Sequence, residues 1–578
     1  MKLLAFLRTG LLNLYSSIRR FPLTIFLTTA TTIFLIVFSR TEPTTETLLR
    51  LAMVSALGIP VTLSIALAFE RIKSTKATEY GIYIATFICL ALYYMFLLPS
   101  LNMVSSTRYL ALSIALYLTF LFVPYFLKRS GIEMYVIKVL TRFLVTAVYS
   151  AVIFAGLAIT LLTIDLLLEI QVSFTFYSNV GMVVAGIFAP CFFLAGLPRT
   201  NQDMEIETYP TVLKVLLLYI VLPIILIYTF ILYVYFLKTL FTWRWPEGTV
   251  SHLVLWYSVF SAGVIFLISP LLQENKFVQF FTGWFPKLVL PGIVVMFMAM
   301  AVRINAYGVT ENRYFVVALG LWVFGVMLYY SLTKRFRNIV LPASLALVAL
   351  LSVFGPWSAY PVSISSQNTR FEALVSEYNM IDGSSLHKPK EEISLKDKKA
   401  LVSILEYFDR SHSLSDLRLL PPNFTIDNME QVFGFSRNDI WGIPDKEGYF
   451  RITGMVQSLD IRDYDLLFHS SNLLKEYSID GLTVQYDPED MELTVLRGDQ
   501  VLYARNLQRF AEEVVEKHGT SSLDVPVQDM TFVDDENENI QAKLVFIAIA
   551  GTTQPDSGQS TLVTIKDLEF YLLLSAVK

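Results

Sequence analysis

Eleven apolar stretches, each near the length needed to cross a bilayer, dominate the first 357 residues of this chain. They fall at about 22–38, 51–69, 80–98, 109–127, 144–168, 176–197, 213–237, 252–272, 288–302, 314–332 and 338–357. A helix rises about 1.5 Å per residue, so about 20 apolar residues cross the hydrocarbon core. The stretches at 22–38 and 288–302 are the shortest. Composition points the same way: 54% of the 578 residues are hydrophobic and only 16% are charged, against about a quarter charged in soluble domains. Residues 1–21 read as an interfacial amphipathic segment with no small-residue cleavage site. The expected fold is an α-helical polytopic membrane domain over 22–357, with about eleven transmembrane helices, followed by a soluble α+β domain over 358–578.

Charge divides the chain at the same place. Residues 1–357 carry 25 Lys/Arg against 13 Asp/Glu, and residues 358–578 carry 20 against 36. Acidic surfaces are poor partners for phosphate backbones, which excludes nucleic acid as the tail's target. The basic residues also orient the helices. Eighteen fall in loops on the side of the N-terminus, including Arg19, Arg20, Arg71, Lys138 and Arg142, and seven on the other side. Basic loops stay cytoplasmic. The reading is a bacterial cytoplasmic-membrane protein with a cytoplasmic N-terminus, and an odd number of spans then places 358–578 outside the cytoplasm. Trp243, Trp245, Trp256, Trp284 and Trp357 lie near span ends, where indole rings favour the headgroup layer.

Within the spans no charge falls convincingly at a midplane, which argues against an ion-coupled pump. Gly58 and Pro60 interrupt the second span, and Pro124, Pro190, Pro223 and Pro291 lie in or near others. Without a matching repeat they read as tolerated kinks rather than a transport site. Cys89 and Cys191 both fall in apolar stretches and read as small buried hydrophobes.

The loop 303–314 concentrates polar groups between the ninth and tenth spans: Arg303, Tyr307, Thr310, Glu311, Arg313 and Tyr314. Gly308 suits a turn with positive φ. Thr310 is placed to cap the tenth helix, with Arg313 where a full capping box has Glu or Gln. Glu311 in the first turn suits the helix dipole. Two readings stand side by side. One is a capped, salt-bridged turn anchoring two spans. The other is an outer-face polar site formed by Arg303, Tyr307, Thr310, Glu311 and Arg313 together with Asp165 and Glu169.

The run Tyr307-Gly308-Val309-Thr310-Glu311-Asn312-Arg313-Tyr314 resembles a bacterial family of polytopic membrane proteins known as domain of unknown function 4153. The similarity continues into Leu459-Asp460-Ile461-Arg462-Asp463-Tyr464-Asp465 of the tail. The resemblance implies a cytoplasmic-membrane location and many spans. It implies no reaction, substrate or catalytic residue.

In the tail, helices are expected near 367–379, 394–409 (Ser394 as N-cap), 426–433 and 506–518. Strands are expected at 482–486, 491–505, 529–533, 541–550 and 561–574, mostly antiparallel. His387, His412, His469 and His518 are scattered, with no metal-binding spacing, and no nucleophile elbow or phosphate loop is present. The acidic runs at 487–490, 534–539 and 460–465 read as solvated turns. Neither a catalytic residue, a cofactor nor a metal is assigned. The leading expectation is a non-enzymatic envelope anchor or sensor whose tail binds an envelope protein or cell-wall component. The alternatives are a transporter or flippase of a small or lipid-like substrate, and a membrane enzyme acting on a lipid-linked substrate through Asp165, Glu169, Arg303 and Glu311.

Overall fold

A computed structural model describes residues 16–576 apart from 41–45, 73, 127–130, 169, 171, 199–208, 243–247, 334–336, 383–384, 436–447, 455–458, 474–476, 480, 499, 520–524, 535–539 and 556–560. Trp243, Trp245 and most of the acidic run 534–539 lie outside the described residues. The chain forms two compact units. One comprises Met1–Glu392 and Ala400–Phe424, the other Ile393–Lys399 and Thr425–Lys578.

In the first unit, nine helices among the described residues are long and apolar enough to cross a membrane. They are α2 (Glu46–Phe69), α3 (Lys76–Leu97), α4 (Met103–Tyr125), α5 (Ile132–Leu168), α6 (Phe174–Ala195), α7 (Thr211–Thr239), α8 (Val250–Gln273), α9 (Lys276–Tyr307) and α10 (Glu311–Leu332). Two shorter apolar helices, α1 (Pro22–Phe38) and α11 (Val340–Val353), occupy the first and last expected spans. The chain is a multi-pass membrane protein.

The ninth span departs from expectation. It is not short but part of a 32-residue helix. Asn275 caps that helix, its side chain accepting from the amides of Phe277 and Val278 at 2.8 and 3.2 Å. The helix then runs through Pro286 and Pro291. Lys287, expected in a loop, therefore sits within it, 5.3 Å from the Trp284 ring. Gly58 and Pro60 likewise do not interrupt α2, where both are buried in a continuous helix. The Thr62 and Ser64 hydroxyls donate back to the carbonyls of Gly58 and Pro60 at 2.8 and 2.7 Å. Pro190 and Pro223 each follow closely on a π-helical turn, at Val184–Phe188 and Leu216–Val221, the irregularity that lets a helix carry on past a missing N–H. Cys191 is buried as expected, whereas Cys89 lies on the exposed face of α3.

Polar anchors join helix ends. The Arg20 guanidinium grips the Glu70 carboxylate through two bonds of 2.6 and 2.9 Å and donates to the carbonyls of Leu197 and Pro198. After α11 the chain turns at Gly355 (φ 93°) into α12 (Ala359–Glu377), which starts earlier than the expected 367, and then into the short antiparallel pair β1 (Ile381–Asp382) and β2 (Ser385–Leu386). Helix α13 (Leu395–Ser411) begins at Ser394, whose hydroxyl accepts from the Asp397 amide at 3.2 Å. Its apolar residues Leu401, Ile404, Leu405 and Phe408 are all buried, as their three- and four-residue spacing requires.

The second unit carries two antiparallel sheets. Strands β10 (Ile540–Pro555) and β11 (Thr561–Ala576) form a long hairpin in register Ile540↔Ala576. Beside it lie β3 (Gly448–Thr453), β4 (Leu466–His469) and β9 (Thr531–Asp534). The second sheet is a meander of β5 (Tyr477–Ile479), β6 (Leu482–Asp487), β7 (Glu492–Arg497) and β8 (Gln500–Asn506). Strands β3, β4 and β5 were not expected. Each of the last two has four residues or fewer, too short for alternation to stand out. Helix α14 (Gln508–His518) follows β8. The acidic residues close turns: Arg462 holds Asp460, and the Asp487 carboxylate accepts from the Glu489 amide at 2.9 Å.

Phe570 is wholly buried in this unit, 5.0 Å from the Tyr486 ring and 5.6 Å from Phe546. Phe570→Ala should cost about 3–5 kcal/mol by leaving a cavity. Denaturant unfolding followed by sheet-region circular dichroism checks this, and an unchanged midpoint would refute it.

Candidate functional site

The polar loop is tighter than the sequence suggests. Helix α9 continues to Tyr307 and α10 begins at Glu311, so only Gly308, Val309 and Thr310 join them. Gly308 takes φ 69° and ψ 176°, a conformation close to glycine-only. The link is held by α12. The Gln367 amide donates to the carbonyls of Tyr307 and Val309 at 3.0 and 2.9 Å, and the Ser366 hydroxyl accepts from the Val309 amide at 2.9 Å. Thr310 stands at the N-cap position, but its hydroxyl makes no capping bond, contrary to expectation. Arg313, one turn in, closes the link instead. Its Nη1 donates to the carbonyls of Tyr307 and Gly308 at 3.1 and 2.7 Å, the carbonyls left free at the end of α9.

Glu311 is the one carboxylate in the run, and it pairs with neither arginine among the described residues. Its Oε1 accepts from the Tyr407 hydroxyl at 2.7 Å and from His412 Nε2 at 2.7 Å. Both the Glu311 and His412 side chains are only 4% exposed. Tyr407 lies in the last turns of α13, and His412 directly follows that helix. An ionised carboxylate only accepts, so the arrangement requires the His412 proton on Nε2. Burial, followed by the Glu311 carboxylate, pushes the Tyr407 phenol well above its ordinary value. Tyr407 therefore stays a donor throughout the working range of pH. The start of α10 adds its dipole in favour of the carboxylate.

The predicted site residues thus separate into three groups. Arg303, Thr310 and Arg313 line one cavity of about 140 Å³, together with His252, Asn312 and two apolar side chains. Tyr307 lies beside it, its ring 5.6 Å from the Arg313 guanidinium and 5.9 Å from that of Arg370. Glu311 does not line that cavity and is committed to Tyr407 and His412. Asp165 is half-exposed near the end of α5 and makes no hydrogen bond or ion pair among the described residues. Glu169 lies outside the described residues. Sequence reasoning did not find Tyr407 and His412 as partners of Glu311. They lie 96 and 101 residues away, and no local pattern marks such a pairing.

Comparison with known proteins gives a family and one relative. The sequence model of a family described as Domain of unknown function (DUF4153) matches residues 21–379, more than half of the chain. The uncharacterized protein PM1469 of Pasteurella multocida (strain Pm70) is 23% identical over 479 residues, covering 78% of each chain. No solved structure matches.

Proposed function

This chain belongs to the family of domain of unknown function DUF4153, and on that premise we propose that it is a non-enzymatic anchor or sensor of the bacterial cytoplasmic membrane. In this reading the N-terminus is cytoplasmic, residues 358–578 lie outside the cytoplasm, and the tail binds an envelope protein or cell-wall component. One observation carries the reading: the Glu311 carboxylate is buried, and its Oε1 accepts from both Tyr407 and His412. A general acid or base must reach a substrate proton. Glu311 instead ties the start of a membrane helix to residues nearly a hundred positions later within the same unit, a structural use of the carboxylate that suits an anchor.

Two measurements test this together. In a chain carrying Cys89→Ser and Cys191→Ser, new cysteines at the exposed positions Ser415 and Gln500 should react with a membrane-impermeant thiol reagent in intact cells. Photo-crosslinkers at the same positions should trap one discrete envelope partner. Protection until lysis overturns the sidedness, and failure to crosslink at several tail positions overturns the partner.

A second reading, transport of a lipid-like substrate, is favoured by an apolar cavity of about 380 Å³ in the membrane unit, lined by Thr24, Leu63, Phe143, Thr146, Pro190 and others. Movement of a labelled lipid across reconstituted vesicles would support it over the first.

A further inference from the structure

We propose that the cavity between the ends of α8, α9 and α10 is a binding site for a phosphate-type oxyanion, held chiefly by Arg303 and Arg313. It stands apart from the Glu311 contact and does not depend on the tail having a partner. Four observations converge on it.

The first is charge without a counter-ion. Arg303 makes no hydrogen bond or ion pair among the described residues, and Arg313 is bonded only to backbone carbonyls. Arg370 adds a third positive charge close by, and Arg303 and Arg370 both act electrostatically on Arg313. The one carboxylate of the loop, Glu311, has its Oε1 occupied elsewhere. Like charges gathered this closely repel one another, and an anion among them relieves that repulsion.

The second is room. The cavity holds about 140 Å³, several times the ~30 Å³ that one water occupies. The third is the donor set. Besides the arginines, the lining includes His252, Asn312 and Thr310, and the Thr310 hydroxyl is not spent on capping. Guanidinium forks match tetrahedral oxyanions through paired hydrogen bonds, as a compact ammonium does not. The fourth is the helix beneath it. Thr310 is the N-cap of the 22-residue α10, and Asn312 and Arg313 lie in its first turn, whose positive end adds to the side-chain charge. The cavity lies at the ends of three apolar helices, so the oxyanion can come from an anionic phospholipid headgroup or from a free phosphate compound.

The full chain in a neutral detergent is titrated with short-chain phosphatidylglycerol, short-chain phosphatidylcholine and inorganic phosphate, with binding read by calorimetry. Saturable binding of phosphatidylglycerol or of phosphate, weakened at least tenfold by Arg303→Gln, supports the site. If only phosphatidylglycerol binds, the source is a lipid headgroup; if inorganic phosphate competes with it, the site takes the free anion too. Arg303 makes no hydrogen bond or ion pair among the described residues, so R303Q should melt like the wild type without ligand, while R303K keeps part of the affinity. His252→Gln gives a second, independent loss should R303Q fold poorly. No saturable binding of either phosphate probe, equal affinity in wild type, R303Q and H252Q, or equal binding of phosphatidylcholine overturns the proposal.

Discussion

Glu311→Ala should abolish accumulation of folded protein. The substitution removes an acceptor that two buried donors share, the Tyr407 hydroxyl and His412 Nε2, each at 2.7 Å. Leaving a buried donor without its acceptor costs about 1–3 kcal/mol per group, more where the lost acceptor was charged. That loss is a large share of the stability of an ordinary domain. Glu311→Gln keeps a carbonyl oxygen as acceptor and should be the milder change, and His412→Ala should fall between the two. Thermal melts of protein purified in detergent, together with the amount recovered in membranes, read the effect. If Glu311→Ala accumulates and melts like the wild type, the contact is not structural, and Glu311 returns as a candidate for chemistry.

Gly308→Ala comes second in expected effect. A Cβ at this position would lie 2.8 Å from Gln367 Nε2 and 3.3 Å from Ser366 Oγ, the two groups that hold the loop. A non-glycine residue is strained at φ 69° even in open space. Strain together with one or two lost hydrogen bonds amounts to about 2–4 kcal/mol. Combining the substitution with Gln367→Ala should recover the part due to the clash and leave the backbone strain, so the two changes should be less than additive. A Gly308→Ala protein whose melting temperature equals that of the wild type would show that the loop relaxes freely.

Much of the membrane unit was legible in the sequence, because a run of apolar residues has few fates other than a helix in lipid. Where that reading slipped, competing local signals were responsible. Residues 276–287 include Lys276, Gln279, Pro286 and Lys287, which lower the hydropathy and suggest a loop, yet the Asn275 cap and the packing of Phe281 and Phe285 into the core carry the helix through them. At the other end of the unit, α11 stops at Val353, before the turn at Gly355, although the apolar run reaches Trp357. In the second unit, the long strands β10 and β11 were legible from alternation, while β4 and β5 were too short to be. The candidate site was half legible. Composition singled out the cluster of polar residues at 303–314 and glycine chemistry pointed to the turn, but nothing local says whether Glu311 meets Arg303 beside it or His412 far along the chain.

Helix α13 is divided between the two compact units: Leu395–Lys399 group with one and Ala400–Ser411 with the other. The family match ends at residue 379, before the two donors that satisfy Glu311. For gene rearrangement this makes an awkward module. A crossover at residue 380 would pass on the carboxylate and leave both its donors behind, and one at residue 425 would keep the donors but strand 393–399 from the unit they complete. Recombination that swaps C-terminal parts among such membrane proteins can preserve both units only by grafting the new part in two places at once.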